Sequence, residues 1–85
     1  MNLNDLILLS ILTEKELVLS KVVERLRELE IEKLPSRTAI YSRLSVLSKK
    51  NLVETFWKEG AKIYKSSENG KQMLKKLKTT LNQFN

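Results

Sequence analysis

The sequence contains no cysteine, no histidine, a single proline and two glycines. Without cysteine there is no disulfide to staple a small fold. Without either residue, nearly every structural zinc pattern and the commonest general base are excluded. The acids Glu14, Glu24 and Glu54 are scattered over separate segments, so nothing assembles a nucleophile beside a base, and neither catalysis nor a cofactor is expected. A long hydrophobic run is also missing: Leu6 to Leu12 is interrupted by Ser10 and preceded by Asp5 and two asparagines rather than by the basic residues of a signal peptide. It falls far short of the ~18 apolar residues that span a bilayer. A cytoplasmic protein with no membrane partner is the expectation.

An 85-residue chain holds one thin-cored domain, and at this size a core alone supplies only a few kcal/mol. With disulfides and metals removed, association with a second copy is the support that remains. No internal repeat, low-complexity stretch or linker divides the chain.

What the sequence does have is basic charge, unevenly placed. Residues 1–34 carry seven acids and five bases, residues 35–85 three acids and eleven bases. A basic half is the footprint of a polyanion partner, nucleic acid ahead of anionic membrane for a compact fold, although solvated lysine-rich faces look similar.

The periodicities predict helix, helix, helix, hairpin, helix. Asn4 to Leu12 is apolar nearly all round and must be covered on most sides. After the polar break Thr13–Glu16, Leu17–Leu19 lead into an amphipathic helix carrying Val22, Val23, Leu26 and Leu29, with Ser20 as its expected cap. Its outward face mixes Glu24, Arg25, Arg27, Glu28 and Glu30 and reads as solvated surface. Pro35 stops that helix from running on. Ser36 caps a third helix with Ile40, Leu44 and Leu47 inward, ending near Asn51, which tolerates a left-handed C-cap. Val53–Trp57 and Ala61–Lys65 flank a Lys58-Glu59-Gly60 turn as a hairpin that leans on the helices through Phe56 or Trp57 and Ile63 or Tyr64. A last helix, capped by Ser66 or Ser67, runs from Glu68 to about Phe84. Leu74, Leu77, Leu81 and Phe84 recur at three, four and three, a coiled-coil-like seam with Met73 alongside.

This order is the plan of a winged helix-turn-helix: mainly α, with a three-helix core, a two-stranded wing and a C-terminal dimerisation helix. Residues 1–66 form the DNA-binding unit and 67–85 the dimerisation helix of the same domain. A B-DNA major groove about 12 Å wide admits the third helix. Thr38, Ser42, Ser45 and Lys49 project outward from it, small or polar enough to approach bases and phosphates. Ser36, Arg37 and Thr38 occupy the first turn, where free N–H groups and the helix dipole favour a phosphate. Arg37 is the first candidate for specificity; the plainer reading pairs it with an acid of the second helix. Tyr41 lies on the flank, reaching a phosphate or packing on the hairpin. Lys58, Lys62 and Lys65 bracket the wing turn, within reach of the backbone or minor groove beside the third helix, and are expected mostly to position the protein; solvated surface is the plainer reading of each. Arg43, Lys49 and Lys50 are further basic candidates.

Ser36-Arg37-Thr38-Ala39-Ile40-Tyr41-Ser42-Arg43-Leu44, with Leu47 and Asn51-Leu52-Val53, resembles the recognition-helix pattern of PadR-like regulators. Trp57, Gly60, Lys62, Tyr64-Lys65 and Ser67-Glu68-Asn69-Gly70-Lys71 are similar to that family's wing and to the entry of its last helix. Leu19-Ser20-Lys21 departs from the family's Gly-Tyr-Glu, Asn51 stands where a glycine is usual, and Ser66 where a leucine is. The resemblance implies a dimer joined through the first and last helices. Leu6, Leu8, Leu9 and Leu12 would then meet Leu74, Leu77, Leu81 and Phe84, and two third helices would enter successive major grooves of a pseudo-palindromic operator, with repression as the expected outcome. The plainer alternative folds the last helix back on its own domain. Two other functions stay open: a winged-helix module, such as an antirepressor or adaptor, that binds protein and no DNA, and a reader of structured RNA, disfavoured by the absence of aromatic stacking rows. No residue names a small-molecule effector.

Overall fold

The computed structural model describes residues 2–31 and 33–83. The elements run α1 (Leu3–Glu14), β1 (Leu17–Val18), α2 (Leu19–Glu28), α3 (Arg37–Lys49), β2 (Val53–Lys58), β3 (Ala61–Ser66) and α4 (Glu68–Asn82). Helix α1, apolar on every side, is covered by α2, α3, β3 and α4 together. Leu8, Leu9, Ile11 and Leu12 from α1 meet Val22 and Leu26 of α2, Ile40, Leu44 and Leu47 of α3, and Leu52, Val53 and Tyr64 in one continuous core.

The ends of α3 follow from its sequence. Ser36 Oγ accepts from the Ala39 N–H at 3.1 Å. At the other end Asn51 takes a left-handed φ of 62°, the Leu52 N–H donates to the Leu47 carbonyl and the Asn51 N–H to the Ser48 carbonyl, both at 3.0 Å. This is a Schellman end, with asparagine in the place glycine usually takes. The hairpin closes through Glu59 and Gly60, with φ of 51° and 80°, the two left-handed residues of a tight I′-type turn whose twist suits the flanking strands.

Two expectations are corrected and one alternative is resolved. The sheet has three strands, in the order β1-β3-β2, because Leu17 and Val18 pair with Tyr64 and Ile63 instead of leading into a helix. Helix α2 consequently starts at Leu19 with Val18 at its cap position and no side-chain cap, so Ser20 is inside the helix. At α4 it is Ser67, not Ser66, whose Oγ accepts from Gly70 N–H.

The root of α4 is closely fitted. Its Ser67 N–H donates to the Leu52 carbonyl at 3.0 Å, and Ser67 Oγ donates to the Asn51 carbonyl at 2.6 Å. A Cβ on Gly70 would lie 2.2 Å from the Leu52 carbonyl oxygen, so only glycine allows this approach. Leu74 is buried and Leu77 half-buried, whereas Leu81 is 62% exposed. The first half of α4 therefore folds back on its own domain and the second half leaves it. Phe84 lies outside the described residues. Among the described residues, no helix is long and apolar enough to cross a membrane.

Candidate nucleic-acid interface

Between Arg37 and Lys50 there is no acid. With Ile40, Leu44 and Leu47 turned into the core, α3 shows solvent Arg37, Thr38, Tyr41, Ser42 and Lys49, with Ser45 half-buried among them. Ser36, at the cap, is exposed as well. The α2 acids that might have paired with Arg37 are engaged elsewhere, Glu24 with Lys21 at 3.2 Å and Glu28 with Arg25 at 2.6 Å.

The wing lies against the flank of this face. Cross-strand pairing sets Val53, Thr55 and Trp57 on the same side of the sheet as Ser66, Tyr64 and Lys62. Val53 and Tyr64 anchor that side in the core. Lys62 Nζ stands 5.6 Å from the Tyr41 ring centre and 5.2 Å from that of Tyr64, within cation–π range of both. Tyr41 thus joins the hairpin while remaining 45% exposed, which unites the two readings of it. Lys58, next to Trp57 in the strand, projects from the opposite side and is exposed beside the turn.

Two basic candidates part from this group. Lys65 lies three residues from Lys62 and so on the opposite side of the strand, where it pairs with Glu54 at 3.5 Å and covers the Phe56 ring. Arg43 turns inward: Nε and Nη2 donate to the two carboxylate oxygens of Asp5 at 2.9 and 2.6 Å. Asp5 is 1% exposed, and this hydrogen bonding holds its carboxyl below the usual carboxylate range. Local sequence rules could not reveal this pairing, since the two residues are far apart in the chain. Of Phe56 and Trp57, one of which is expected to lean on the helices, Phe56 is half-buried and Trp57 is 72% exposed near the wing tip.

The expected dimer contacts also divide. Leu8, Leu9 and Leu12 are at most 2% exposed, and Leu74 is buried too. They are consumed by the chain's own core and offer a partner no surface. Leu6 and Leu77 are half-buried, and Leu81, Met73 and Leu3 are exposed. Among the described residues, no group of three or more acids is gathered as metal ligands would be.

A three-helix core with a hairpin beside the third helix, followed by an outgoing helix, is the winged helix-turn-helix fold. The fold is shared with a PadR-like transcription factor from Bacteroides fragilis (TM-score 0.85, 19% identity, covering 95% of this chain and 82% of that one). A PadR family transcription regulator from Clostridium difficile R20291 gives a TM-score of 0.74 at 22% identity, over 94% of this chain and 95% of that one. The transcriptional regulator HlyU from Vibrio vulnificus gives 0.70 at 26%, over 93% and 76%. No family model and no curated protein sequence matches the chain.

Proposed function

We propose that this chain is a PadR-like transcription regulator, not an enzyme, that binds double-stranded DNA as a cytoplasmic homodimer and acts as a repressor. The observation that carries the reading is the acid-free outward face of α3, lined by hydroxyls and set directly beside a basic wing. On this reading α3 enters the major groove. Thr38, Ser42 and Ser45 approach base edges, Arg37 supplies a base contact, and Ser36 with the first-turn N–H groups holds a phosphate. Tyr41, Lys49, Lys58 and Lys62 position the backbone. Solved relatives of the same fold described as transcription regulators support it.

The second copy docks on the surface left over once the core is filled: Leu81, Leu77 and Met73 of α4, with Leu3 and Leu6 of α1. Pairing there sets two copies of α3 toward successive turns of a pseudo-palindromic site.

Selection of bound duplexes from a random library, followed by a salt titration of the selected sequence, tests the reading. Affinity is expected to fall about 10³-fold or more between 50 and 200 mM salt if six or more phosphates are contacted. An affinity flat in salt, or capture of a protein with no duplex bound, points instead to a protein-interaction module.

A further inference from the structure

Trp57 is the sole tryptophan of the chain, and it is largely exposed among the described residues. The register opposite Lys62 places its indole on the α3 side of the hairpin, one residue before the end of β2. From the buried anchor Val53 to Lys58 the strand advances five steps of about 3.4 Å, roughly 17 Å. The tip therefore stands well clear of the core, with Lys62 beside the indole on the side of the recognition helix and Lys58 on the opposite side of the strand. Phe56, the other aromatic of β2, is on the opposite side beneath Lys65.

The indole combines a flat apolar ring with a single N–H donor and no acceptor. Next to a major groove occupied by α3 lies a minor groove about 6 Å wide, whose floor shows only acceptors at A·T pairs, adenine N3 and thymine O2. A G·C pair adds the guanine N2 amino donor at the middle of that floor. A donor-only group meets a partner in the first case and another donor in the second. Lysines on either side match the phosphates of the groove walls.

We propose that Trp57 reads the minor groove flanking the α3 site and sets a preference for A·T there through its indole N–H. The proposal rests on the duplex-binding function above and adds a base preference carried by the wing.

The test uses the full chain and a duplex selected from the random library, its flanking pairs changed to A·T, G·C or inosine·C, which lacks the guanine amino group. Binding is followed by the anisotropy of labelled DNA, and Trp57 by its own emission and by acrylamide quenching in the same titration. A·T and inosine·C flanks are expected to bind alike and G·C on the order of tenfold more weakly, with the indole shielded from acrylamide in the complex. Trp57→Phe keeps a ring and removes the donor. It is expected to fold normally, as judged by thermal unfolding, and to bind all three flanks alike. The proposal is overturned if the indole stays as accessible in the complex as in free protein, or if Trp57→Phe retains the flank preference. Shielding that grows with protein concentration without DNA overturns it as well and assigns Trp57 to an interface between copies. Flat anisotropy for every duplex sinks the duplex-binding reading itself and is distinguishable from binding with an accessible indole.

Discussion

Arg43 grips the buried carboxylate of Asp5 through two charge-assisted bonds, 2.9 and 2.6 Å long, and so ties α3 to α1 from behind its exposed face. The fork geometry suits guanidinium and no other side chain. Asn2 caps α1 over the same carboxylate-bearing residue, its side chain accepting from the Asp5 N–H at 2.9 Å. The orientation of the proposed reading helix is therefore set partly by a pair whose carboxylate is buried and whose guanidinium is only partly exposed.

Because the folded-state pKa of Asp5 is depressed, its contribution to stability is complete above the ordinary aspartate value near 3.9 and is lost as pH falls through the lower folded value. Chemical denaturation at pH 7 should show Asp5→Asn destabilised by about 1.5–3 kcal/mol, with the difference from wild type shrinking below pH 4. Arg43→Ala leaves a buried carboxylate without its partner and should be the more damaging change at pH 7. Its deficit should also narrow on acidification, since protonation then relieves the stranded charge. A variant equally impaired from pH 7 to pH 3 would rule this account out.

Gly70→Ala inserts a methyl group where the Leu52 carbonyl already stands. Backbone on one side and the root of a helix on the other have little room to yield. A loss of about 1–3 kcal/mol is expected in denaturant unfolding, with faster amide exchange in the first turn of α4.

Glu59 holds a left-handed conformation at the wing turn, where asparagine is the preferred first residue before glycine. Glu59→Asn should raise stability by roughly 0.5–1 kcal/mol, read as a higher denaturant midpoint at unchanged slope. The change also removes an acid from the wing, so binding to duplex DNA should strengthen rather than weaken.

Leu81 is exposed in the single chain, so Leu81→Glu should leave the fold intact while shifting solution mass toward that of one 9.9 kDa chain. Leu9→Ala acts oppositely. Leu9 is wholly buried, and its truncation should cost about 2–5 kcal/mol in unfolding free energy without being a specific dimer variant. Sedimentation of the two variants separates the surface from the core.

Arg37→Ala should weaken binding by about 1–3 kcal/mol at one base position and relax specificity there, whereas Lys62→Ala should weaken all duplexes alike and lower the salt slope by about one. Equal losses on selected and random duplexes for the Arg37 change would make it a positioning residue.

Much of this was legible because local rules governed it. Ser36 before an apolar 4-3 pattern, Asn51 at its end and Gly60 between two β-rich stretches each act within a few residues. Leu17 and Val18 were not, because a two-residue strand has no period of its own and exists only through Tyr64 and Ile63 far along the chain. Leu8, Leu9 and Leu12 showed that α1 must be covered, but a pattern of apolar residues does not say whether its own chain or a second one covers them. The direction of Arg43 was hidden for the same reason, its partner being distant in sequence. Strand alternation, a rule legible in the sequence, sets Lys65 on the side of β3 away from Lys62.

The Leu52 carbonyl, engaged by Ser67 and crowded by Gly70, welds the tail of α3, the foot of the hairpin and the first turn of α4 into one stiff elbow. The start of α4 and the foot of the wing are thereby joined through a single backbone carbonyl, a link separate from the packed leucines of α1.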